Sequence, residues 1–270
     1  MTRSAGTGAT AGEARADFLQ LYAARRERIL GRIAAACERV GRLPGGVALV
    51  AVTKTVPIDR VRAAVDAGFT TLGENRVQEA EPKIAALRGG AEAVGSAGDR
   101  GAPVAGPKGP GRPVWHLIGP LQSNKAARAV TLFDVVETVD SLRLAARLDR
   151  LTAALGGRAL PVLVQVNVDD DPAKAGYRPA DLAAELPALA DLPGLSLLGL
   201  MTVGRLVTDP QDARPTFRRL RELSERLRAG EPRLGPELSM GMSDDFEVAV
   251  EEGATIVRVG RAIFGERPAP

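Results

Sequence analysis

Eight short runs of apolar, often β-branched residues recur along this chain, and each is followed by a stretch with helical periodicity. The runs cover 47–54, 69–72, 114–118, 133–139, 160–168, 195–203, 237–240 and 255–259. Near-continuous apolar strands of this length suit parallel strands covered by helices, because both of their faces are buried. Eight strand–helix units in one chain match a closed (β/α)8 barrel better than an open doubly wound sheet. No G-x-G-x-x-G pattern follows the first strand, which counts against a dinucleotide-binding fold. The expected fold is therefore a single-domain α/β TIM barrel with one extra helix ahead of it.

That extra helix is expected over 13–39, with Leu19, Tyr22, Ile29, Ile33 and Val40 on one stripe and Gly41 as its stop. The other helices are expected at 58–67, 76–87, 122–130 with Ser123 as cap, 141–155, 179–189 broken near Pro187, 212–228, 244–252 and from 262 onward. Residues 1–12 read as a disordered tail and 13–268 as the barrel. Twelve of the twenty-five residues 89–113 are Gly or Pro, so that segment reads as a flexible surface insertion.

Composition closes off several function classes. The charge of +3 is spread among acids on helices without a like-charge run, which argues against nucleic-acid binding. No apolar run is long enough to span a bilayer, so no membrane association is expected. The N-terminus has no hydrophobic core of a signal peptide. A lone Cys37 suits a reducing compartment, and a cytoplasmic location follows. One His and one Cys provide no zinc cluster.

Lys54 closes the first apolar strand, an expensive place for a charge unless the amine has a partner or a task. The chain has five lysines (Lys54, Lys83, Lys108, Lys125 and Lys174), which leaves thirty-one arginines of the combined thirty-six. Where a cation alone suffices, this sequence uses Arg. In such barrels the site lies at the C-terminal strand ends, and phosphate commonly binds after strands 7 and 8. There the chain places Ser239-Met-Gly-Met-Ser243 and Gly260-Arg-Ala-Ile-Phe-Gly265, small residues leading into helix starts. A lysine and two anion-type loops on one rim point to a phosphorylated carbonyl ligand held as a Schiff base. Geometry of this kind does not separate pyridoxal phosphate from a sugar-phosphate aldehyde. Plainer readings stand beside it: Ser243 as an N-cap, Gly260 as a turn, His116 as a hydrogen-bonded core residue, and Asp169, Asp170 and Asp171 as a solvated loop.

The segments Val52-Thr-Lys-Thr55, Phe69-Thr-Thr-Leu-Gly-Glu-Asn75, Trp115-His-Leu-Ile-Gly-Pro-Leu-Gln-Ser-Asn-Lys125, Gly199-Leu-Met-Thr202, Leu238-Ser-Met-Gly-Met-Ser-Asp-Asp245 and Val257-Arg-Val-Gly-Arg-Ala-Ile-Phe-Gly265 occur in this order. Together they resemble the pyridoxal 5′-phosphate (PLP) homeostasis protein family, which is similar in fold to the barrel domain of alanine racemase. The resemblance spans about residues 14–267, apart from 89–113. It implies a PLP-binding protein without enzymatic turnover, a cofactor carrier or buffer. Lys54 would form the Schiff base and Asn75 lie beside the ring. Arg258 would face the pyridine nitrogen, and Ser243, Gly260 and the backbone of Arg261 would hold the phosphate. An arginine against that nitrogen keeps it unprotonated and makes the ring a weaker electron sink.

Three positions depart from the pattern or invite a second role. Arg261 stands where many relatives carry a small hydroxyl residue, and Val56 where some carry a second lysine. Lys174 matches a loop lysine of the family, with a solvated role as the plainer reading. The resemblance also implies PLP-dependent apo-enzymes as partners, and a monomer is expected without the second domain that dimerises the racemase. The runner-up is an amino-acid racemase with weak activity. It needs a base on each face of the substrate. Tyr22 and Tyr177 are placed on the first helix and a loop, and the chain ends at Pro270 with no room expected for a second domain. A Schiff-base aldolase acting on a sugar phosphate is the third reading.

Overall fold

The structure is a computed structural model that describes residues 11–88, 112–205 and 207–266. The expected tail (1–12) and the insertion (89–113) fall almost wholly outside the described residues. Eight strands, β1 (Ala48–Val52), β2 (Thr71–Glu74), β3 (Val114–Leu117), β4 (Val135–Val139), β5 (Leu160–Gln165), β6 (Leu195–Met201), β7 (Glu237–Ser239) and β8 (Ile256–Val259), form a closed barrel in sequence order. Every neighbouring pair is parallel, including β1 with β8. Around it run α1 (Ala11–Arg39), α2 (Ile58–Asp66), α3 (Val77–Arg88), α4 (Ala126–Leu132), α5 (Leu142–Ala154), α6 (Pro179–Ala190), α7 (Arg214–Gly230), α8 (Phe246–Glu251) and α9 (Arg261–Phe264). The expected TIM barrel with its leading helix is the fold.

Side-chain alternation along the strands divides the core in two. One face, with Ala51, Leu72, Trp115, Val136, Val164, Leu200, Leu238 and Val257, packs under the helices. The other, with Val50, Val135, Leu163, Leu198, Met201 and Ile256, forms a separate apolar cluster inside the barrel. The interior is a packed plug at that level, not a pore.

α1 docks through Tyr22, Ile29, Ile33, Ala36 and Cys37. Leu19 and Val40, placed on that stripe from sequence, are instead 36% and 44% exposed. The short alanine and the thiol, not the flanking large residues, allow close approach to the barrel. Its end is set by Gly41 at φ +68°, with Arg42 N donating to Cys37 O (2.9 Å) and Gly41 N to Glu38 O (3.2 Å). That left-handed turn closes orphan carbonyls at little steric cost only for glycine.

Several boundaries differ from expectation for local reasons. β1 ends at Val52, so Lys54 lies two residues beyond it, in a turn where Thr55 takes φ +63°. β2 starts two residues later than expected and takes in Gly73 and Glu74. Ser123 is no cap: a 3-10 turn over Ser123–Lys125 precedes α4, and neither start has a side-chain cap. α6 runs unbroken to Ala190, because Pro187 sits in the last turn, where little helix remains to lose. Arg214, Arg218 and Arg221 of α7 pair with Glu252, and Arg39 of α1 and Arg214 pair with Glu251. No described helix is long and apolar enough to cross a membrane.

Candidate functional site

At the C-terminal end of the strands, a cavity of about 470 Å³ opens between the turn after β1 and the start of α9. Lys54, Gly260 and Arg261 line it, together with Val52, Arg60 and Phe264. Its size falls within the range of small-molecule pockets. Asn75, Ser243 and Arg258 are not among its lining residues. A second cavity, about 370 Å³, lies at the opposite end near Arg26, Thr70 and Glu237, and holds none of the residues expected to act.

Ser243 reaches this rim indirectly. Its Oγ accepts from Gly260 N and Ala262 N, both at 3.3 Å, so it stands at the start of α9. It is not the N-cap of α8, the plainer reading. That turn is closed by Asp245, whose Oδ1 accepts from Met242 N at 2.6 Å. Gly260 itself is the N-cap residue of α9, and a Cβ there would meet Val52 Cβ at 3.3 Å. The Arg261 side chain pairs with Asp244 and with Glu266 (3.3 Å), turned toward acids at the surface. From α1 and α2, Arg25 and Arg60 bind the carbonyls of Ile263 (2.5 Å) and Phe264 (2.6 Å) and hold the far end of α9.

Asn75 follows β2 directly. Its backbone is pressed against Gly119, where a Cβ would lie 2.3 Å from Asn75 O. Behind Lys54 is a cluster that reading along the chain did not find. The fully buried Glu74 accepts from Thr53 Oγ1 (2.6 Å) and Lys83 Nζ (2.8 Å) at Oε1, while its Oε2 has no partner. Lys83 also donates to Thr53 O at 2.7 Å, the carbonyl just before Lys54. Burial holds the Glu74 carboxyl above its ordinary pKa in spite of both bonds.

Arg258 is buried inside the barrel. It donates to Ser239 Oγ (2.5 Å) and Thr202 O (2.7 Å) and lies 3.8 Å from Glu137. Burial pushes its pKa down against the pull of Glu137 and Asp245. Glu137, also unassigned from sequence, was signalled by an acid in the middle of the apolar run Val135-Val-Glu-Thr-Val139. His116 is a hydrogen-bonded core residue, as expected, with Nδ1 2.6 Å from Glu137 Oε1. Asp169 departs from the solvated-loop reading. Its side chain is nearly buried, accepting from Thr216 Oγ1 (2.9 Å) and pairing with Arg219 and Arg205. Lys174 is tied down too, donating to Val203 O at 3.2 Å. Among the described residues, no group of acids, His and Cys is arranged to hold a metal.

Comparison with known proteins accounts for this arrangement. Residues 29–268 match the family model of the alanine racemase N-terminal domain. A pyridoxal phosphate homeostasis protein of Aquifex aeolicus is 38% identical over 243 residues, covering 90% of this chain and 97% of that one. The one from Pseudomonas aeruginosa is 40% identical over 240 residues, covering 89% and 93%.

The chain belongs to the pyridoxal phosphate homeostasis protein family.

Among solved structures, that of PipY from Synechococcus elongatus with PLP bound is 40% identical, with TM-score 0.70, covering 86% of this chain and all of that one. An alanine racemase of Clostridium difficile, at 14% identity and TM-score 0.64, shares the fold alone.

Proposed function

We propose that this chain binds pyridoxal 5′-phosphate and takes part in its homeostasis, as a carrier or buffer holding the cofactor on Lys54. The observation that carries this reading is the shared cavity of Lys54, Gly260 and Arg261 at the barrel's C-terminal rim. The donor set fits the group. Lys54 would offer an amine to the aldehyde, and the Gly260 and Arg261 backbone N–H groups with the Ser243 hydroxyl would hold the phosphate once the Gly260 N to Ser243 Oγ bond gives way to it; Arg258, from below the cavity, would offer its guanidinium to the ring nitrogen. Asn75 would flank the ring. When bound, PLP supplies an electrophilic carbonyl and an electron-withdrawing ring. The PLP-bound relative at 40% identity supports the reading.

In this proposal the protein is a cytoplasmic monomer that passes PLP to apo-enzymes without turning over a substrate. The tyrosines weigh against the racemase alternative. Tyr22 is fully buried and accepts from Arg60 Nε (2.7 Å), while Tyr177 donates to Glu185 (2.8 Å). Burial and that carboxylate raise the Tyr177 pKa, which makes it a poor base at neutral pH.

Borohydride reduction of PLP-loaded protein is expected to leave a phosphopyridoxyl mass on the peptide holding Lys54. An unmodified Lys54 peptide refutes this assignment. Transfer to an apo-transaminase with a trap for free aldehyde present tests the carrier role. Ser243→Ala is expected to weaken PLP binding roughly tenfold or more, the value of one hydrogen bond to a charged group. An unchanged Kd, measured by absorbance titration, would remove Ser243 from the phosphate site.

A further inference from the structure

Inside the barrel, the residue type changes abruptly along single strand faces. Two residues above Val135 on β4 stands Glu137, and two above Ile256 on β8 stands Arg258. With His116 on β3 and Ser239 on β7 they form a buried polar layer over the apolar plug, and Arg258 is two residues from Gly260. One hydrogen-bonded chain joins them. His116 Nδ1 meets Glu137 Oε1 at 2.6 Å, Ser239 Oγ donates to Glu137 Oε2 at 2.5 Å, and Arg258 Nη1 donates to Ser239 Oγ at 2.5 Å. A buried ion pair is a weak source of stability, and apolar side chains fill the level beneath without one. The charges thus call for a task at the floor of the site.

We propose that Glu137 is a positioning residue of the cofactor site, supplying the counter-charge that holds Arg258 in place, with His116 orienting Glu137 from the far side. This rests on the PLP reading above and adds to it a group that touches neither ring nor phosphate. Within the layer the carboxylate and the guanidinium are opposite charges 3.8 Å apart, and His116 Nδ1 stands against the other carboxylate oxygen. His116 Nε2 is buried without a hydrogen-bond partner. The charged groups set against Arg258 are Glu137 from β4 and Asp245 from the turn before α8. Burial raises the Glu137 pKa, but His116, through its hydrogen bond and its charge interaction, then the charge of Arg258 and the bond from Ser239 outweigh it and hold the carboxyl below its usual range.

The test compares PLP-loaded full-length protein with its Glu137→Gln variant, following the visible band of the lysine-bound cofactor from mildly acidic to mildly alkaline pH. Without Glu137 the Arg258 cation keeps only Asp245 as a counter-charge and disfavours a second cation at Lys54 more strongly. The midpoint is expected to fall by roughly one pH unit, the effect of a unit charge about a ring's length away in a buried site. A wild-type protein that forms no such band refutes the PLP reading itself. A wild type that forms it, with a variant of identical midpoint, leaves that reading intact and overturns the role of Glu137. Should the variant not fold, the wild type carries the test. His116 is the sole histidine, so ¹⁵N-histidine labelling gives one pair of ring signals. They are expected to move when PLP is added, because the ring reaches the cofactor site through Glu137 and Arg258. Signals indifferent to PLP overturn the proposal.

Discussion

Lys83→Met is expected to lower the unfolding free energy by about 3–5 kcal/mol at neutral pH, the cost of removing one partner from a buried ion pair. Glu74 has no solvent to turn to and already has one oxygen without a partner. Losing Lys83 leaves only Thr53 Oγ1 against the charge, and the Thr53 carbonyl keeps Val56 N (3.0 Å) as its one donor. The double variant Glu74→Gln with Lys83→Met should recover a large part of the loss, because the neutral amide needs no counter-ion. Urea unfolding of the three proteins measures it, and a double variant no better than the single one refutes the pairing. The sign of the pH dependence follows from the raised pKa of Glu74. A carboxyl whose folded pKa lies above its unfolded value favours folding when protonated, and that contribution is lost as pH rises through the folded pKa. Without the lysine the folded pKa moves higher still, so the variant should regain stability as pH falls toward it.

Gly119→Ala is expected to cost about 3 kcal/mol or more and to weaken PLP binding as well. The added carbon would lie 2.3 Å from Asn75 O and 2.7 Å from Asn75 Cα, both backbone atoms. Neither side can retreat easily. Ile118 N is bonded to Glu74 O (2.9 Å), and Gly119 O accepts from Thr138 Oγ1 (2.9 Å). Relief must therefore shift the segment after β2 that carries Asn75. Measuring Kd alongside the denaturation midpoint separates the two effects. Lost stability with unaltered affinity would place Asn75 away from the cofactor.

Fold and rim position were legible because both depend on near neighbours in sequence. Near-continuous apolar runs mark strands buried on both faces and helical stripes mark their covers, and eight such alternations leave few closed topologies. Where reading along the chain erred, a short-range signal met a long-range contact. Leu19 and Val40 belong to the apolar stripe of α1 by type, yet the barrel beneath accepts Ala36 and Cys37 instead. Asp169 sits in a run of three aspartates that looks solvated, but Thr216 and Arg219 on α7 come across to bind it.

The sequence by itself determined the barrel, its leading helix, the family, and the placing of Lys54 and Gly260 at one end of their strands. Tertiary structure alone decided how the lysine and its neighbours are supported. Ser243 serves α9 and not its own helix, Lys83 answers Glu74, and Glu137 meets Ser239 across 102 residues of chain. Strand and helix signals arise within a few residues and survive in the linear order. A hydrogen bond between β4 and β7 exists only after the barrel has closed, since closure alone brings inward-facing side chains of distant strands to one level.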